Sequence, residues 1–102
     1  MFNNLDPLLH SQLRLSVMSL LVGVEQADFV YIKEKTEATA GNLSVQLTKL
    51  EEAEYISIEK TYQGKRPQTI CRITKKGVQA FEQYFQDLQS YLAVAEKSKK
   101  GE

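Results

Sequence analysis

The 102-residue chain is 42% hydrophobic and 25% charged, and its 13 basic and 13 acidic side chains cancel to a net charge of zero. That composition belongs to a single globular domain; it contains no apolar run near the roughly 20 residues of a membrane span, and its one cysteine excludes an intramolecular disulfide. The opening MFNNLDPLLHSQ lacks the basic region and apolar block of a signal peptide, so a cytoplasmic location is expected.

The zero sum conceals a local excess. From Lys60 to Lys76 stand Lys60, Lys65, Arg66, Arg72, Lys75 and Lys76 without an acid among them, whereas Glu25 to Glu54 is predominantly acidic. Charge that segregates in this way is read by segment rather than by total.

In chain order, Asp6-Pro7 signals a helix start, a capping acceptor followed by a residue preorganised for the first turn. The predicted helix covers about 6–22 and closes near Gly23. Leu9, Leu13, Val17, Leu20 and Val24 form one apolar stripe, and Leu8, Leu15, Met18 and Val22 form a second. A helix apolar on two sides is expected to be buried on two sides, by its own core and by a second chain.

Asp28 is the next capping residue, ahead of a two-turn helix over 28–36 with Phe29, Ile32 and Val30 directed inward. After the turn TEATAG, Thr39 or Gly41 begins a third helix over 40–53, where Leu43, Leu47 and Leu50 share one face. The other side, as far as Lys49, carries Asn42, Ser44, Gln46, Thr48 and Lys49 and no acid. The period then changes to two at Ile56 and Ile58, which opens a hairpin over about 55–74 with Gly64 in its loop and Pro67 near the start of the return strand. Thr74 caps a last helix over 75–97, on which Val78, Phe81, Phe85, Leu88, Leu92 and Ala95 make a heptad-like seam beside Tyr84 and Tyr91. Residues 98–102 are expected to be a flexible tail of a single 1–97 domain.

The fold class is therefore α+β and mostly helical, with a two-stranded basic wing and a long C-terminal helix for dimerisation. LDPLLHSQLRLSVMSLL, then GNLSVQLTKLEEAEYI, then GKRPQTICRITKKG and its aromatic helix resemble a small stand-alone winged helix-turn-helix family related to the MarR and ArsR groups of transcriptional regulators. The resemblance covers about residues 5–92. It implies a homodimeric, cytoplasmic regulator that binds operator DNA, a repressor by occupation of promoter sequence. Two departures stand out. Glu54 occupies the junction where the family has glycine, and Gln46 stands where it has histidine in an NLSxH pattern.

On that reading the third helix enters the major groove. Asn42, Val45, Gln46 and Lys49 approach bases, and Ser44 and Thr48 approach base edges or phosphates. Asn and Gln suit adenine, Lys suits guanine, and Val suits a thymine methyl. Glu51 and Glu52 must then turn away from the duplex. Lys60, Gly64, Lys65, Arg66, Arg72 and Lys75 compose the DNA-binding wing, with Lys65 and Arg66 at a minor groove or its phosphates. Leu8, Leu15, Met18, Phe81, Tyr84, Phe85, Leu88, Tyr91 and Leu92 exceed what so small a core can cover and form the expected dimer interface. A two-fold dimer places its recognition helices about 34–36 Å apart and calls for a near-palindromic double-stranded operator.

No metal-ligand spacing, phosphate loop or nucleophile constellation is present, so neither a cofactor nor catalysis is expected. His10 reads as a helix-surface histidine and Cys71 as a buried thiol. The rival reading is a winged helix that serves as a protein-interaction module, favoured by the neutral net charge and the acidic flank. The operator, the regulated genes and any small-molecule effector are not encoded in a recognisable pattern.

Overall fold

A computed structural model describes residues 1–101. Among these residues the order is α1 (Gln12–Val24), β1 (Gln26–Asp28), α2 (Phe29–Thr36), α3 (Ala40–Glu52), β2 (Ile56–Gln63), β3 (Arg66–Ile73) and α4 (Lys75–Gly101). The expected α+β architecture holds, and the differences lie at its joints.

The first joint is the N-terminus. Asp6 begins a single turn, not α1: its side chain accepts from the Leu8 N–H at 2.9 Å, and its carbonyl accepts from the Leu9 and His10 N–H groups at 3.1 and 3.0 Å. The chain extends again at Ser11 (φ −153°), whose hydroxyl accepts from the Arg14 N–H, and only there does α1 start. Two capping signals compete within six residues. The later one prevails because Leu9 drops fully into the core while residues 2–10 run along α4.

Gly23 is not the end of α1. The helix continues to Val24 and stops at Glu25, which adopts φ 72°. The Glu25 carbonyl then accepts from the Ile73 N–H at 3.1 Å, and this leads into the unanticipated strand β1. Three strands form one antiparallel sheet in the order β1-β3-β2, with Ala27 opposite Cys71 and Ile58 opposite Cys71 on the other side. β1 covers β3 only from Ile70 to Arg72. Pro67, which has no N–H to give, therefore lies where β3 is still an edge on one side.

Asp28 caps α2 by accepting from the Tyr31 N–H at 2.8 Å. Ile32 is buried and Phe29 half-buried, but Val30 is 60% exposed and does not face inward. Thr39 caps α3, which ends at a left-handed Glu54 (φ 65°). Around it the Tyr55 N–H donates to the Leu50 carbonyl at 3.0 Å and the Glu54 N–H to the Glu51 carbonyl at 2.8 Å, the paired bonds of a Schellman ending. The junction where glycine is expected thus adopts a left-handed conformation with a glutamate in it.

Thr74 caps α4 through the Gly77 N–H at 2.9 Å. A Cβ on Gly77 would stand 2.1 Å from the Tyr55 carbonyl oxygen, so the absent side chain is what lets α4 seat against the start of β2. Ser98 to Gly101 continue α4 rather than forming a tail; Glu102 of the expected tail lies outside the described residues. At 27 residues α4 is about 40 Å long.

The core is Leu9, Val17, Met18, Leu21, Ile32, Leu43, Leu47, Leu50, Ile56, Cys71 and Tyr84. It draws on both stripes of α1: Val17 from one, Met18 from the other, and Leu21 from neither, while Val22 and Val24 are exposed. The core-facing side of α1 is therefore neither of the two expected stripes. The buried face is centred between the stripes.

Candidate nucleic-acid interface

The three core leucines of α3 turn its opposite face to solvent. Gly41, Asn42, Ser44, Val45, Thr48 and Lys49 are exposed there, Val45 by 52%, and the first turn carries no acid. The Thr48 hydroxyl donates back to the Ser44 carbonyl at 3.0 Å, which leaves its methyl as the more available group. Glu51 and Glu52 are exposed at the far end of the helix.

Gln46 departs from the expected role. It is half-buried toward α1; its Oε1 accepts from Arg14 Nη1, and its Nε2 donates to Asn42 Oδ1 at 3.0 Å. Both polar atoms of this expected base reader are thus engaged within the protein. Arg14, which no motif singled out, is held in turn by its Nε donating to the Leu8 carbonyl at 2.6 Å. The spacing from Arg14 to Gln46 crosses two elements, so no local pattern could reveal it.

The hairpin loop consists of Gly64 and Lys65 between the paired residues Gln63 and Arg66. Gly64 takes φ 65°, which suits glycine at the first position of a two-residue turn. Lys65 and Arg66 are exposed at the tip. Lys60 lies further down β2 and shares a shallow groove with Ser44 and Thr48 of α3 and Thr69 of β3. The structure therefore brings Lys60, not only the tip, to the exposed face of α3.

Two members of the expected wing stand apart. Arg72 donates to Glu59 at 2.7 Å and to Gln26 at 2.9 Å, so its charge is paired across the sheet. Glu59 precedes the acid-free run by one residue, but the register sets Arg72 opposite Ser57 and hence diagonal to Glu59 on the same face. Lys75 begins α4 at the other end of β3, about 25 Å of strand away from the tip. Its neighbour Lys76 lies 3.7 Å from Glu54 and over the Tyr55 ring.

The expected dimer residues divide. Met18 is fully buried and Tyr84 is 4% exposed, both within the protein's own core, so neither is available to a second chain. Leu8, Leu15, Phe81 and Leu88 pack half-buried around that core. Phe85, Tyr91 and Leu92 remain exposed, by 39%, 37% and 64%. Phe2 joins them, its ring 5.0 Å from that of Tyr91, while Asn3 bonds Ser90, Asp87 and the Tyr91 hydroxyl. This N-terminal addition to the α4 surface was not legible, because six residues without periodicity give no docking signal.

His10 is exposed but sits in the N-terminal turn, not on a helix, with Nδ1 3.1 Å from the Tyr84 hydroxyl. Cys71 is buried as expected; burial first, then the charges of Glu51 and Asp28, push its thiol up to about 11. Among the described residues no cluster of His, Cys, Asp and Glu is placed to hold a metal, and no helix is long and apolar enough to cross a membrane.

Residues 13–92 match the family described as a winged helix DNA-binding domain. The chain belongs to that family. This winged helix domain is 39% identical over 79 residues to the uncharacterized protein MJ0432 of Methanocaldococcus jannaschii, covering 78% of the chain and 86% of the relative. It resembles the structure of a transcriptional regulator homologue from Pyrococcus horikoshii at a TM-score of 0.80 and 25% identity, over 86% and 87% of the two chains. It also shares the fold of a MarR mutant from E. coli complexed with operator DNA, at a TM-score of 0.67 and 20% identity, over 86% and 68%. The winged-helix fold and the likeness to MarR-type regulators, both expected from the sequence, stand. The family model is that of a DNA-binding domain, and the two solved structures are a transcriptional regulator homologue and a MarR mutant bound to operator DNA.

Proposed function

We propose that the protein binds double-stranded operator DNA as a homodimer and represses transcription by occupying promoter sequence. The observation that carries this reading is the exposed, acid-free first half of α3 beside Lys60 and a wing tip whose Lys65 and Arg66 have no acidic partner among the described residues. Val45, Asn42 and Lys49 supply an apolar surface, an amide and a cation for base edges. Lys65 and Arg66 supply charge for a minor groove or its phosphates.

The exposed Phe85, Tyr91 and Leu92 support a dimer built on α4, with Leu8, Leu15, Phe81 and Leu88 at its margins. Two-fold symmetry then calls for a near-palindromic site. Selection of bound sequences from random duplex DNA tests the whole reading. An enriched palindrome whose binding weakens steeply with salt supports it; no enrichment at low salt favours the protein-interaction module, whose apolar contact would be nearly indifferent to salt. The pairing of Arg72 with Glu59, which removes one cation from the basic run, is the feature that keeps this second reading in play.

A further inference from the structure

Arg14 lies between the N-terminal turn and α3 and bonds two neutral oxygens, the Leu8 carbonyl and Gln46 Oε1. No carboxylate pairs with it among the described residues. A guanidinium has only donors and stays protonated in proteins. The atom Gln46 turns toward it must therefore be the amide oxygen, and the Gln46 nitrogen must face away. That nitrogen donates to Asn42 at 3.0 Å, so Asn42 in turn must direct its own oxygen inward. The atom left at the exposed edge of α3 is Asn42 Nδ2.

We propose that Arg14 is a positioning residue for sequence recognition, setting the amides of Gln46 and Asn42 so that Asn42 offers DNA a hydrogen-bond donor. This rests on the DNA-binding reading above and narrows it. Pairing with adenine in the two-pronged manner needs an asparagine oxygen and nitrogen side by side at the base edge, and here the oxygen is turned inward onto Gln46 Nε2. A lone donor instead reads acceptors, of which guanine N7 and O6 are the densest set in the major groove. The chain of donors thus changes the base expected at this position from adenine to guanine. It also ties the choice to Leu8, and so to the N-terminal turn packed against α4.

The test uses the full chain and the operator obtained by selection. The position read by Asn42 is the one whose preference disappears in Asn42→Ala. In the wild type, guanine is favoured there over adenine by about tenfold. Gln46→Glu still accepts from Arg14 but has no donor for Asn42, so Asn42 must turn its NH2 inward and its oxygen outward. The preference then inverts toward the amino-bearing bases adenine and cytosine. Arg14→Met, which leaves the amides free to turn, reduces the discrimination to within about twofold, and Arg14→Lys, which keeps a donor, restores it. Side-chain amide spectra of the free protein give an independent reading: the Asn42 NH2 protons exchange rapidly in the wild type and become slowed and shifted in Gln46→Glu. An unchanged base preference in Gln46→Glu, or no operator position that depends on Asn42, overturns the proposal while leaving DNA binding intact. A wild type that binds no duplex at low salt overturns the DNA-binding reading and the recognition role together, whereas unchanged amide spectra in Gln46→Glu overturn the relay alone.

Discussion

Glu54 holds φ 65° at the end of α3, a conformation that costs a residue with a Cβ about 1–2 kcal/mol. Glycine relieves that cost but loses more backbone freedom on folding, which returns part of it. Glu54→Gly should therefore raise stability by about 0.5–1 kcal/mol in urea unfolding, with the m-value unchanged. The contact with Lys76 does not alter the sign, since both side chains are largely exposed. Gly77 is the opposite case. Its missing Cβ leaves room for the Tyr55 carbonyl, and Gly77→Ala should destabilise by about 2 kcal/mol or more, because backbone must move to admit the methyl. Tyr55 also carries a pH signature. Burial first, then its hydrogen bond to the Asp6 carboxylate, push its hydroxyl from 10.0 up to about 12. A raised value means that the folded protein holds the proton more tightly than the unfolded chain. The associated stability is complete below pH 10 and drains away as pH rises toward about 12. Subtracting the pH–stability curve of Tyr55→Phe from that of the wild type should isolate this fall, and a flat difference would show that folding does not raise the hydroxyl's pKa.

Among the elements, the wing separates cations by their neighbours rather than by their number. Lys65→Ala and Arg66→Ala should each weaken DNA binding and lower the slope of log K against log salt by about one per lost phosphate contact. Arg72→Ala should leave that slope unchanged, because Arg72 already answers Glu59. A salt titration in which Arg72→Ala equals Arg66→Ala would show that the ion pair opens on binding. This contrast marks the limit of what the sequence makes legible. The leucine period of α3, the Asp28, Thr39 and Thr74 caps and the Gly64 loop are local signals, and the elements they announce are present. The failures that reshape the site involve partners distant in the chain. Nothing near Asp6 reports that residues 2–10 will lie on α4, nothing near Gln26 reports that β3 awaits it, and nothing near Gln46 reports Arg14. In the candidate site the outward positions of α3 were readable from its inward ones. The side chains that are engaged elsewhere became evident only with the register and the packing.

For the whole molecule, the central question is what covers the far half of α4. The N-terminal segment already lies on it through Phe2, Asn3 and His10, yet Leu92 stays 64% exposed beside Tyr91 and Phe85. Exposed apolar groups at spacings of seven and near neighbours on a long helix fit a helix-to-helix contact with a second copy. Leu92→Asp tests this without disturbing the core, because the side chain it replaces makes little contact within its own chain. The variant should keep its helical circular dichroism while its mass in sedimentation falls from dimer to monomer at micromolar concentration. Operator binding should weaken far more than half-site binding, since joining two recognition helices converts the second contact into an intramolecular one worth about a hundredfold or more in avidity. Equal losses on whole and half sites would mean that each domain binds alone. A mass unchanged by the substitution would place the dimer contact elsewhere, at the margin formed by Leu8, Leu15 and Phe81, and direct the next charge substitution there.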